Sequence, residues 1–198
     1  MTAADVISLY TELENLKITV WVDGGWGVDA LLGEQTRPHQ DLDIAVQEGD
    51  VPRLRHLLQE RGYRDIKLEE ARPWNFVLGD ENGREIDLHV IVLDDHGNGL
   101  YGPTENGQMY PAASLTGAGS IKGRIVRCIS PQWMVKFHKR LQTQREGLLG
   151  RLRFVQKVRH RAAGIIRSVQ DIESATPALL ISSNTSIRAR RNLQRGVG

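Results

Sequence analysis

An α+β domain, a mixed sheet with flanking helices, is what the sequence predicts for residues 1–138, followed by a basic, poorly patterned C-terminal tail over 139–198. Three observations carry that expectation. Short runs with a two-residue apolar alternation are interleaved with stretches of helical spacing. Gly, Pro and Asn punctuate the junctions between them. The charge balance also changes sharply after His138. Residues 1–138 hold 13 Lys and Arg against 21 Asp and Glu, a balance of −8, whereas residues 139–198 hold 13 against 3, a balance of +10.

Taken in order, residues 4–16 place Val6, Ile7, Leu9, Leu13 and Leu16 at helical spacing and predict an amphipathic helix. KITVWVD reads as a short buried strand with Ile18, Val20 and Val22 alternating. Gly24 and Gly25 break it, and WGVDALLG continues as a short helix stopped by Gly33. TRPHQ is a loop, because Pro38 disfavours the helical region for Arg37. In DLDIAV, Leu42, Ile44 and Val46 share one face of a strand while Asp41, Asp43 and Ala45 share the other. Val51 to Arg61 is helical, with Leu54, Leu57 and Leu58 as its stripe. RDIKLEE and NFVLGD are strand candidates, and the Asn-Gly pair in DENG joins the second by a hairpin to GREIDLHVIVL. Residues 94–120, rich in Gly, Asn and Ser, read as a long loop region bordering a cleft. GRIVRCI is a further strand, and Ser130-Pro131 starts a helix with Ser as N-cap.

Composition narrows the function classes. With 198 residues, 40% hydrophobic and 25% charged, the chain has the make-up of one soluble globular domain with a short appendage. The lone Cys128 excludes an internal disulfide framework and a cysteine-based zinc site, and suits a cytoplasmic protein. No apolar stretch approaches the ~18–20 residues that span a bilayer, and no secretion signal is legible at the N-terminus.

Asp41-Leu42-Asp43 carries the chemistry. Residues i and i+2 of a strand point to one face, so both carboxylates project together and repel unless a cation lies between them. Mg²⁺ is the usual partner where substrate phosphates complete its octahedron. Asp87, on a second strand, supplies a third acid, as metal ligand or as general base on an acceptor hydroxyl. The glycine pair ahead of a helix offers exposed N–H groups for a phosphate. Arg37 and His39, just before the acidic strand, add donors. His89 shares the face of Asp87, where it either touches the acceptor or makes a structural hydrogen bond. Trp74, Tyr101, Tyr110 and Trp133 either stack a ring or pack in the core.

The order strand, Gly-Gly, helix, Arg-x-His, Asp-x-Asp strand and later acidic strand resembles the DNA polymerase β-type nucleotidyltransferase superfamily. More narrowly, WVDGGWGVDALLGEQTRPHQDLDIAV resembles the small antibiotic nucleotidyltransferases that act on lincosamides and on the 2″ hydroxyl of aminoglycosides, with EIDLHVIVL and GRIVRCISPQWMVKFH in support. The resemblance implies a polymerase β-like domain. Asp41 and Asp43 then fall on the metal-binding pair, Asp87 on the third carboxylate, and Gly24, Gly25, Arg37 and His39 on the nucleotide-binding positions. Trp26 falls on the family's tryptophan. Asp29 also matches, although local pairing with a donor such as Arg37 is the preferred reading. The implied reaction is Mg²⁺-dependent transfer of a nucleoside monophosphate, AMP foremost, from ATP or another NTP to a hydroxyl of a small antibiotic or related metabolite. No membrane or nucleic-acid partner is implied, and the oligomeric state is not legible.

Beyond His138 the wording departs from the family. A basic nucleic-acid-binding helix is one reading. A shifted reading frame is preferred, because a neighbouring frame can spell a charge-balanced phrase similar to the family's C-terminal segment. The end of the chain is then expected to be partly disordered and the product catalytically impaired. The remaining rival, an antitoxin-like or regulatory module of the same fold, fits Gln40 before Asp41 less well, since the minimal antitoxins resemble Ser-Asp-x-Asp there.

Overall fold

The computed structural model describes residues 1–103, 105 and 107–148. Helix α1 (Ala3–Asn15) opens on a capping box, in which the Thr2 hydroxyl accepts from the Asp5 N–H and the Asp5 carboxylate accepts from the Thr2 N–H at 2.8 Å. It buries Ala3, Val6, Leu9, Tyr10 and Leu13, while Leu16 lies past the helix end and is exposed. Strand β1 (Val20–Val22), helix α2 (Gly24–Leu32) and strand β2 (Asp41–Gln47) follow. After a 3-10 turn over Glu48–Asp50 come α3 (Val51–Glu60), β3 (Arg64–Ile66), β4 (Asn75–Gly79) and β5 (Glu85–Leu93). The chain continues through β6 (Gly99–Tyr101), β7 (Met109–Tyr110), a 3-10 segment over Ala112–Thr116, β8 (Gly117–Ile121), β9 (Arg124–Cys128) and α4 (Pro131–Leu148).

The strands form one mixed sheet in the order β3-β4-β5-β2-β1-β9-β8, with β6 paired to β5 and β7 to β6. β2 runs parallel to β5 and antiparallel to β1, and β1 runs parallel to β9. Leu42, Ile44 and Val46 of β2 and Ile86, Leu88 and Val90 of β5 face α1 and α3, where they meet Val6, Leu9, Leu13, Leu54 and Leu58 in the larger core. The opposite face carries Ala45 and Ile91, which pack with Val28 of α2 and Met134 and Val135 of α4. That face, near the start of α2, is where the acidic residues emerge. Among the described residues, no helix is long and apolar enough to cross a membrane.

The α+β architecture is as expected, but several local readings are corrected. Gly24 and Gly25 are the first two residues of α2 rather than a separate turn. All of β1 is buried on both faces, Trp21 included, because α1 covers one face and the α2–α4 layer the other. RDIKLEE contributes only Arg64–Ile66. Residues 94–120 are not one long loop, since they supply β6, β7 and β8. The Ser130 hydroxyl donates to the Ala113 carbonyl at 2.9 Å, while the Ser130 carbonyl accepts the first N–H groups of α4. Helix α4 runs through position 138 to Leu148, and the expectations for the remainder of the tail lie outside the described residues.

Candidate active site

Three carboxylates line up across three neighbouring strands. The parallel register of β2 and β5 sets Asp43 opposite Asp87. On the other side of β2, the Asp23 N–H donates to the Asp43 carbonyl at 2.8 Å, which fixes the end of β1 against Asp43. The side chains of Asp43, Asp87 and His89 bring ligand atoms within 4.8 Å of one another. Asp41 shares the strand face with Asp43 but lies outside that cluster, opposite Glu85 and only 8% exposed.

Asp23 is the residue that sequence reasoning missed. It is the N-cap of α2, where its carboxylate accepts from the Gly24 N–H at 2.8 Å. The local signal was present, an Asp immediately before a glycine pair, but it read as the end of a strand. Its other oxygen accepts from the Tyr110 hydroxyl at 3.0 Å, and that hydroxyl lies 2.7 Å from Nδ1 of His89. Nε2 of His89 faces Asp87 at 3.7 Å. The Asn75 amide donates to Asp87 at 3.3 Å. A buried polar chain thus runs from the α2 cap through Tyr110 and His89 to Asp87.

The glycines explain how α2 closes over the carboxylates. Gly24 has φ +55°, and a Cβ there would collide with the Asp43 carboxylate. A Cβ on Gly25 would enter the His39 ring and reach within 3.1 Å of the Arg37 guanidinium. The start of α2 therefore stands directly against Asp43, with Arg37 alongside. His39 is placed differently from a free phosphate donor: it is buried, its Nε2 lies 2.5 Å from Asp29, and its ring packs 4.8 Å from that of Trp26. Asp29 also accepts from the Thr36 hydroxyl at 2.6 Å and the Thr36 N–H at 3.1 Å. The local partner of Asp29 is thus the Thr36/His39 pair rather than Arg37. Together they pin the loop that carries Arg37 to α2.

Of the aromatic residues, Tyr110 packs edge-on to Phe137 and Tyr101, and Tyr101 packs edge-on to His89. Trp133 packs on Phe137, and Trp74 packs against the core.

The electrostatics follow from the crowding. Burial, together with the charges of Asp87 and Asp23, pushes the Asp43 carboxyl up to about 7 despite His89 and Arg37. Burial and Asp23 likewise raise Asp87. For His89, burial lowers the ring's affinity for a proton. Asp23, Asp87 and Asp43 outweigh it and carry the ring up to about 9. Burial also opposes ionisation of Asp23, but His89 and the Gly24 N–H hold it below the ordinary value.

A pH dependence follows. An acid raised from 3.8 to about 7 binds more protons in the folded state, so its contribution to stability falls as pH rises across that window. A histidine raised from 6.5 to about 9 stabilises fully below 6.5 and loses that contribution as pH rises through 9. Both act in the same direction. Thermal melts of the metal-free protein should fall between pH 5 and 9, with Asp43→Asn flattening the acid arm and His89→Gln the alkaline arm. An unchanged profile in both variants would contradict this origin.

The donor set fits a hard divalent cation: at least two carboxylates converge with excess negative charge beneath amide N–H groups and a guanidinium, where phosphates would bind. A mixed sheet bearing this arrangement at the start of a helix defines a polymerase β-like nucleotidyltransferase. The chain belongs to the aminoglycoside-2″-adenylyltransferase family, whose model matches residues 5–153. It is 31% identical over 139 residues to a lincosamide resistance protein of Staphylococcus haemolyticus, covering 70% of this chain and 84% of that protein. Among solved structures it is similar to the lincomycin-bound lincosamide antibiotic adenylyltransferase LnuA, with TM-score 0.61 and 30% identity over 70% of this chain and 86% of that one. It also shares its fold with ANT(2″)-Ia in complex with adenylyl-2″-tobramycin, with TM-score 0.62 and 20% identity over 96% and 98% of the two chains.

Proposed function

We propose that this nucleotidyltransferase moves AMP from ATP to a hydroxyl of a lincosamide antibiotic, in the cytoplasm and with Mg²⁺. The observation that carries the reading is the side-by-side register of Asp43 and Asp87 against the start of α2. The lincosamide acceptor is supported by the 31% identity to the staphylococcal lincosamide resistance protein. The family's name keeps aminoglycosides as the second acceptor class to test.

The chain's own groups divide the work. The Gly25 N–H, next in the first turn after the Gly24 N–H that Asp23 caps, and the Arg37 guanidinium hold the triphosphate oxygens. Asp43 and Asp87 are metal ligands. Asp41, roughly 6.6–6.8 Å along the same strand face, is the further carboxylate of the set. The metal, when bound, neutralises phosphate charge and acidifies the attacking hydroxyl. Asp87, set beside Asp43 by the β2–β5 register, also takes the proton from that hydroxyl through its oxygen that is off the metal. Asp29 and His39 hold the Arg37 loop in place.

Incubation with Mg²⁺, ATP labelled at the α-phosphate and a panel of lincosamides and aminoglycosides tests the acceptor. Label should pass to a lincosamide. Transfer to aminoglycosides alone would reassign the acceptor, and transfer to neither would overturn the reading.

A further inference from the structure

Beyond the carboxylates, the cluster contains a nitrogen whose lone pair the surrounding hydrogen bonds assign. The Tyr110 hydroxyl has one proton and lies 3.0 Å from the Asp23 carboxylate and 2.7 Å from Nδ1 of His89. An ionised carboxylate only accepts, so Tyr110 donates to Asp23. Its oxygen must then accept from His89, which places a hydrogen on Nδ1. The other nitrogen, Nε2, is then the one whose proton a cation would displace, leaving its lone pair for ligation. Nε2 is also the atom that faces Asp87, at 3.7 Å, and the His89 side chain is 20% exposed, so the position is reachable. A ligating imidazole whose second nitrogen donates into a hydroxyl–carboxylate pair has the outer support typical of metal-bound histidines.

We infer that His89, through Nε2, ligates the cation held by Asp43 and Asp87, which raises the site's affinity for first-row transition cations relative to Mg²⁺. This rests on the metal-binding role proposed above for the two carboxylates and adds to it a nitrogen ligand. Oxygen ligands suit Mg²⁺ and Mn²⁺ alike, whereas an imidazole in the set adds affinity for transition metals that Mg²⁺ does not share. Tyr110 and Asp23 are then positioning residues: they act through His89 by fixing its tautomer and ring orientation. Asp23 additionally caps α2, so the same carboxylate ties the amide end of the helix to the imidazole.

The test is pulsed EPR on full-length protein loaded with Mn²⁺, with and without a non-hydrolysable ATP analogue. Directly coordinated imidazole should give ¹⁴N modulation that becomes ¹⁵N modulation when the histidines are ¹⁵N-labelled, which separates it from adenine nitrogen. The signal should vanish in His89→Gln. Competition titrations should show a preference for Mn²⁺ over Mg²⁺ in the parent that shrinks in that variant, where only the oxygen ligands remain. If His89→Gln fails to fold, the labelled parent protein decides alone. Bound Mn²⁺ that depends on Asp43 but shows no histidine coupling would overturn the inference and leave the proposed function standing. Histidine coupling without adenylyl transfer would do the reverse. Absence of bound Mn²⁺ would overturn both.

Discussion

Asp43→Asn should slow adenylyl transfer by orders of magnitude and at the same time make the metal-free protein more stable. The two effects share a cause. Asp43 is crowded by burial and by two neighbouring carboxylates, so its carboxyl is pushed up to about 7. Near pH 8 the folded, metal-free protein therefore holds a charge that the unfolded chain accommodates more easily. Replacing it with an uncharged isostere should relieve about 1–3 kcal/mol of that strain, after allowing for relaxation around the site. For a chain of this size that is roughly 2–10 °C in melting temperature. The same substitution removes a proposed ligand for the charge-neutralising metal, a loss of several kcal/mol in the transition state and roughly a 10²–10⁴-fold fall in rate. Stabilisation by added Mg²⁺ should shrink in parallel. A variant that loses stability together with activity would show that Asp43 is a structural residue.

Gly24→Ala should lose activity and stability together. Its backbone lies at φ +55°, where an L side chain costs about 1–2 kcal/mol. The new Cβ also collides with the Asp43 carboxylate, which must turn or push α2 outwards. A total cost of about 2–4 kcal/mol is expected. Displacing the start of α2 or Asp43 by about 1 Å is enough for a roughly 10²-fold loss of rate. Melting curves and single-turnover rates on the same preparation check both. An alanine variant with parental stability and rate would mean that α2 does not sit against Asp43.

The contrast between these two positions also shows what was legible in the sequence. β2 and β5 are long enough for alternation to declare which residues share a face, so the common face of Asp41 and Asp43 was legible from spacing, and the family resemblance added Asp87 as their partner. The glycine pair likewise marked a close approach of backbone to something. Register was not legible: only the folded sheet sets Asp43 beside Asp87 and leaves Asp41 opposite Glu85. Asp23 was passed over because an Asp at a strand end has the same local signature whether it meets water or caps the next helix. Tyr110 lies in a two-residue strand, too short to have a period, within a stretch whose glycines and asparagines read as loop. Its link to Asp23 spans 87 positions and is visible only in three dimensions. His39 shows the opposite limit, since proximity to the acidic strand marked it as a phosphate donor, whereas the fold buries its ring against Trp26 and pairs it with Asp29.

The central claim is that Asp43 and Asp87, side by side beneath the start of α2, form the adenylyl-transfer site. Single-turnover transfer of α-labelled AMP to lincomycin, at saturating Mg²⁺ and ATP, tests it most directly in the parent, Asp43→Asn and Asp87→Asn proteins. The account predicts transfer by the parent and a fall of roughly 10²-fold or more in each folded variant. Transfer by either variant within about threefold of the parent rate would contradict it.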